Sequence, residues 1–219
     1  MRPYFYPLFA SIALFADFEK TAEEIVHAGR VLNLAGLCPA TSGNFSCKAD
    51  EGLIAVTVSG KHKGELTSDD VILVDLEGIP QNTEKKPSAE TLLHTILYQV
   101  FPDVGAALHT HSANAIVLTR LLKEAPALTT EGYEIHKAFR GIKTHDSTLT
   151  FPIFENSQDY PALSEEVTNY LLSHPDTVAF LLRGHGIYTW GKDMKEALIR
   201  VEALENLFEC ELKLRLLKK

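Results

Sequence analysis

Two histidines at alternate positions, His109 and His111, end a short apolar run, Val104-Gly105-Ala106-Ala107-Leu108. On a β-strand alternate side chains share a face, so both imidazoles can reach one point. The run itself has the length and composition of a buried strand. After it, Ser112 leads Ala113-Asn114-Ala115-Ile116-Val117-Leu118, the pattern of a capped helix start. The pair therefore stands at the C-terminal end of a strand, where a site can open. A third histidine, His185, follows another apolar run, Val178-Ala179-Phe180-Leu181-Leu182, and is flanked by Gly184 and Gly186. Glycines there leave room for a ligand. Three neutral imidazoles and one open position are the ligand set of a catalytic zinc or a similar divalent ion. The competing reading of a bare His-x-His is two polar residues bonded to backbone or water; a third histidine, at a second strand end, favours the metal.

Two loops have the composition of anion sites. Pro39-Ala40-Thr41-Ser42-Gly43-Asn44-Phe45-Ser46 surrounds a glycine with small hydroxylated residues, and Ser59-Gly60-Lys61-His62-Lys63-Gly64 carries a serine, two glycines and two lysines. Such loops offer backbone N–H groups and hydroxyls to a phosphate; each taken alone also reads as a solvated turn. Neither is a Walker loop, and there is no GxGxxG to support a dinucleotide site. Three carboxylates have a double reading. Glu90, in Pro87-Ser88-Ala89-Glu90, stands in the first turn of a helix expected to be capped by Ser88. There it is either a carboxylate favoured by the helix dipole or a site carboxylate beside the metal. Glu131 and Glu134 belong to a solvated helical turn, or one of them is a general acid/base.

These residues need a scaffold, and the periodicity supplies one. Residues 18–35 have a helical apolar stripe ending at Gly36, a plausible C′ glycine. Strands are expected at 53–59, 71–76, 149–154 and 178–182, with a hairpin through Gly184 to Trp190, and helices at 88–100, 112–122 and 159–172. Residues 192–217 read as a long amphipathic helix, long enough for part of it to serve a subunit interface. The hairpins indicate an antiparallel or mixed sheet, not a doubly wound one. The length of 219 residues suits one domain, placed at 18–219 behind an apolar arm at 1–17. Pro3 and Pro7 interrupt the start of that arm, and Asp17 and Glu19 follow its apolar run, which ends at Phe15, unlike a secretory leader. The arm is too short to span a membrane. A formal charge of −8 argues against nucleic acid as partner. Three cysteines with no framework spacing fit reduced thiols in a cytoplasmic protein.

Taken in order, Gly43-Asn44, Ser59-Gly60, Pro87-Ser88-Ala89-Glu90, His109-Thr110-His111 and Gly184-His185-Gly186 resemble the motif set of the class II aldolase/adducin family. The resemblance covers about residues 18–217. It implies a three-layer α/β/α fold with a mostly antiparallel central sheet. It also implies one zinc ion (Zn2+) per subunit, held by His109, His111 and His185, and a homotetramer with sites near subunit interfaces. The substrate implied is a small phosphorylated ketose, its phosphate held by Gly43, Asn44, Ser59, Gly60 and Ser88. Family aldolases often have a second serine where this chain has Ala89, so one hydroxyl contact is missing here. Glu90 falls on the aldolases' catalytic carboxylate. In the family's dehydratases the acid/base is a glutamate beyond the His-x-His helix; Glu134 fits that place best, with Glu131 as competitor. Loss of water from the ketose phosphate is the expected reaction. Aldol cleavage or epimerisation on the same metal is the alternative, and a non-enzymatic module like adducin is a third reading.

Overall fold

The computed structural model describes residues 8–218. Strands β1 (Asn44–Asp50), β2 (Leu53–Thr57) and β3 (Val71–Asp75) form an antiparallel meander. On the other side of β1 lies β4 (Ala106–Thr110), antiparallel to it. Strands β5 (Ala127–Glu131) and β6 (Thr148–Phe154) form an antiparallel pair at the far edge. Between these groups, β7 (Ala179–Leu182) and β8 (Gly186–Gly191) make a hairpin; β8 pairs with β4 and β7 with β6. The sheet order is β3-β2-β1-β4-β8-β7-β6-β5, and β6–β7 is its one parallel pair.

Alternation along the strands sends apolar side chains to both faces. In the central hairpin, Ala179, Leu181 and Ile187 point to one side and Phe180, Leu182, Tyr188 and Trp190 to the other. Each face therefore needs a helical cover. Helices α1 (Leu8–Leu34), α3 (Ala113–Leu121) and α5 (Met194–Leu217) cover the first, through Ala22, Ile25, Leu118, Val201, Leu204 and Phe208. Helices α2 (Thr91–Val100) and α4 (Tyr160–Ser173) cover the second, through Leu93, Leu97, Leu163 and Val167. This is the expected three-layer α/β/α arrangement.

Several boundaries differ from expectation. Helix α1 starts at Leu8, not Phe18. After Pro7 the sequence holds no helix breaker up to Gly29, so the apolar run continues the helix. Residues 1–7 of the expected arm lie outside the described residues. Helix α2 starts at Thr91, and its N-cap position is Glu90, not Ser88. Ser88 instead closes a turn before the helix, its carbonyl accepting from the Thr91 N–H at 3.1 Å. The segment around Glu131 is strand β5, not a helical turn; Gly132, at φ +77°, ends it. Ser112 does cap α3, its hydroxyl accepting from the Ala115 N–H at 3.1 Å.

Candidate metal centre and active site

His109 lies on the α2 face of β4, fully buried, beside Tyr188 of β8, whose ring stacks on it at a centroid distance of 4.1 Å. His111 follows two residues on, its backbone N–H bonded to the Leu37 carbonyl at 2.9 Å. His185 sits in the β7–β8 turn. The three ligand nitrogens lie within 4.8 Å of one another. Gly186 permits this approach: a Cβ there would meet the Thr110 carbonyl oxygen at 2.0 Å and His109 Cε1 at 3.1 Å.

The outer nitrogens are spoken for. His109 Nδ1 donates to the Ile187 carbonyl at 3.0 Å, and His185 Nδ1 donates to Asn156 Oδ1 at 3.1 Å. Both bonds leave Nε2 as a lone pair facing the centre. His109 Nε2 is buried and has no hydrogen-bond partner. His185 Nε2 faces His111 Nε2 at 3.1 Å. Burial holds His109 well below the ordinary histidine range and pushes His111 down to about 4. Neutral imidazoles whose lone pairs meet one another are what a divalent cation requires, so the donor set fits a metal ion.

Glu90 enters the same centre from the N-terminus of α2. Its carboxylate oxygens lie 3.3 Å from His109 Nε2 and 3.3 Å from His185 Nε2. It accepts from the Tyr188 hydroxyl at 2.7 Å, the Asn44 amide at 2.8 Å and the Tyr160 hydroxyl at 3.5 Å. Burial opposes its charge, but the polar groups around it, the Asn44 amide among them, outweigh this and hold the carboxyl well below the usual carboxylate range. Glu90 is the N-cap position of α2, not a first-turn residue, and it turns its carboxylate to the histidines.

The anion-loop residues gather beside it. Gly43, at φ +79°, brings the first loop against β4, where a Cβ would lie 2.9 Å from the His109 carbonyl oxygen. A bridge between Val58 and Pro87 sets Ser59-Gly60 next to Ser88. The Ser42 hydroxyl is buried and unpartnered. Lys63, read in the sequence only as one of two loop lysines, is buried, and its ammonium ties the loops by donating to the Thr41 carbonyl at 2.9 Å and the Lys61 carbonyl at 2.7 Å. Tyr188 and Tyr160 were also missed. The signal for Tyr188 was its register opposite His109, which needs the β4–β8 pairing to be known.

Glu134 and Glu131 are not brought to this centre within one chain. Glu131 pairs with Thr148, at the opposite end of β6 from Phe154, and Phe154 pairs with Leu182 beside the His185 turn. At about 3.3 Å per residue, those strand residues separate the two ends by about 20 Å. Glu134 opens a 3₁₀ turn, Glu134–Ala138, and is exposed, with its carboxylate paired to Lys137 and 3.8 Å from His145.

The model of the Class II Aldolase and Adducin N-terminal domain matches residues 23–212, and the chain belongs to that family. Within it, the chain is 51% identical to the methylthioribulose-1-phosphate dehydratase of Marinobacter nauticus, over 89% of this chain and 94% of that one. It is 52% identical to the enzyme of the same name from Pseudomonas fluorescens, over 90% and 94%. Among solved structures, the L-fuculose-1-phosphate aldolase of Thermus thermophilus superposes with a TM-score of 0.69 at 25% identity, covering 94% of this chain and 96% of that one. YgbL of Klebsiella pneumoniae gives 0.76 at 25% identity, over 90% of each.

Proposed function

We propose that this chain is a zinc-dependent methylthioribulose-1-phosphate dehydratase. It is a lyase that converts 5-methylthioribulose 1-phosphate to 2,3-diketo-5-methylthiopentyl 1-phosphate and water, and it serves methionine salvage in the cytoplasm. The observation that carries this reading is the 51% identity, over nearly the whole chain, to an enzyme of that name. No described helix is long and apolar enough to cross a membrane.

His109, His111 and His185 would hold the ion, and when bound it supplies Lewis-acid polarisation of the ketose carbonyl at C2. The chain's own groups do the rest. Gly43, Asn44, Ser59, Gly60 and Ser88 hold the phosphate through backbone N–H groups and hydroxyls, which asks little net positive charge of a chain whose formal charge is −8. Glu134 takes the proton from C3 and, as the acid, protonates the C4 hydroxyl as it leaves. The resulting C3–C4 enol closes to the ketone at C3, and one water departs. Glu134 is the assignment, with Glu131 as competitor. Its distance from the histidines of its own chain implies that it serves a neighbouring subunit of a homotetramer. Exposed apolar side chains along α5, Ile199, Leu214 and Leu216, support such an assembly.

The test is turnover of zinc-loaded protein on methylthioribulose 1-phosphate, following diketone formation, with fuculose 1-phosphate in parallel. Diketone formation lost on chelation and restored by zinc is the expected result. Cleavage of fuculose 1-phosphate alone would overturn it in favour of the second reading, an aldolase. That reading draws on the placement of Glu90 among the histidines.

A further inference from the structure

A line of polar side chains runs from Glu90 into the core. Helix α2 and the residue before it present Glu90, His94 and Tyr98 at i, i+4 and i+8, and strand β1 presents Asn44 and Ser46 at i and i+2. Helix and strand periodicities thus set five groups in one row. Asn44 Nδ2 lies 2.8 Å from Glu90 Oε2, and Asn44 Oδ1 lies 2.5 Å from His94 Nε2. His94 Nδ1 lies 2.7 Å from Ser46 Oγ, which lies 2.7 Å from the Tyr98 hydroxyl. Asn44, Ser46 and His94 are all buried.

Such a row has two possible senses, and donor counting chooses between them. In one, Ser46 donates to Tyr98, His94 Nδ1–H donates to Ser46, and His94 Nε2 accepts from Asn44. The Asn44 carbonyl oxygen would then face Glu90 Oε2, acceptor against acceptor, beside the bond that the same oxygen accepts from Tyr188. In the other, Tyr98 O–H donates to Ser46, Ser46 O–H to His94 Nδ1, His94 Nε2–H to Asn44 Oδ1, and the Asn44 amide to Glu90. Every contact is then a donor meeting an acceptor, and the Tyr98 oxygen accepts the Ala107 backbone N–H at the far end. The second sense needs His94 neutral; burial, which pushes it down to about 4, keeps it so.

We propose that His94 is a positioning residue for the reaction: as its Nε2–H tautomer it fixes the Asn44 amide so that N–H, not C=O, meets the Glu90 carboxylate, and so aims that carboxylate at the histidine cluster. The inference rests on reading that cluster as the reaction centre. Leucine at position 94 leaves the Asn44 carbonyl without its donor and the amide free to turn. Glutamine restores a donor close to the place of Nε2, whereas asparagine reaches only the place of Nδ1.

Two experiments test it on zinc-loaded, full-length protein. Nitrogen-15 NMR of the histidine rings reports the tautomer without substrate. Protonated Nε2 and unprotonated Nδ1 at His94 are expected; the opposite tautomer overturns the inference whatever the turnover. Kinetics of the variants then separate positioning from mere packing. His94→Leu and His94→Asn should lower kcat about tenfold or more with KM changed less than about threefold, and His94→Gln should stay within about threefold of the native kcat. Equal losses for Gln and Asn, or unchanged kcat for Leu, would contradict it. Should His94→Leu fail to fold, Ser46→Ala removes the donor to His94 Nδ1 that holds the Nε2–H tautomer, and a kcat below native with KM held is the expected result; an unchanged kcat would contradict it. Absence of diketone formation by the native protein sinks the assigned reaction and leaves the tautomer result to be judged by itself.

Discussion

The two ends of the sheet carry carboxylates of opposite character. At the histidine end, Glu90 is 12% exposed and held by three donors from three elements. At the other end, Glu134 is 66% exposed, and its partners are Lys137 and His145 from its own loop. One end is organised by a single chain; the other carries a candidate acid/base with no reacting centre near it. On the proposed function the difference divides the work: one subunit would hold the substrate's carbonyl and phosphate, and the exposed carboxylate would be offered to a neighbour. It also separates the two proposed reactions: a dehydratase would depend most on the exposed carboxylate, an aldolase on the buried one.

The largest effect belongs to the histidines. His111→Ala should bind little zinc and lose about 10³-fold or more in turnover, since the Lewis acid supplies several kcal/mol. Metal analysis beside the rate checks this; full activity with no bound metal would break the account at its base. Next comes Glu134→Gln, expected to lose about 10²–10⁴-fold in kcat with zinc content unchanged. Near-normal turnover of that variant would move the role to Glu131. A third effect concerns stability at the buried end. His94 is depressed from 6.5 to about 4 in the fold, so its neutral form contributes stability that is whole above about pH 6.5 and is lost as the pH falls toward 4. Fully expressed, the loss is about 3 kcal/mol. Urea unfolding at pH 7 and pH 4.5 should show a smaller decline for His94→Gln than for the native chain; equal declines would contradict the shift. The smallest effect is Glu90→Gln, about 10–100-fold in kcat, the size of a hydrogen bond to a charged group. If it exceeds the effect of Glu134→Gln, the aldolase reading gains.

How much of this was legible in the sequence follows from the range of the contacts. The histidines were readable because strand alternation and the glycines around His185 are local facts, and Ser112 as a cap is local too. Two glycine-containing loops near a helix start were readable by composition. What escaped depends on pairing between distant segments. The row from Glu90 to Tyr98 needs strand β1 docked on helix α2, across 46 to 52 residues. The separation of Glu134 from the histidines needs the β5–β6 register, which places Glu131 opposite Thr148. Ser88 was misplaced as a cap because Ser, Ala and Glu fit a first turn equally well, and the bond from the Ser88 N–H to the Thr57 carbonyl at 3.3 Å, which holds the segment beside β2, is tertiary.

The division between the two ends has a direct test in subunit complementation. His111→Ala and Glu134→Gln chains are each expected to be nearly inactive alone. Unfolded together, mixed in equal amounts and reassembled with zinc, they should regain activity. A native glutamate from one chain would then meet native histidines of another at roughly a quarter of the sites, as random assembly of a symmetric oligomer gives. Recovery well above the sum of the separate variants is the result the account predicts. Activity no greater than that sum, with mixed oligomers shown to have formed, would contradict it.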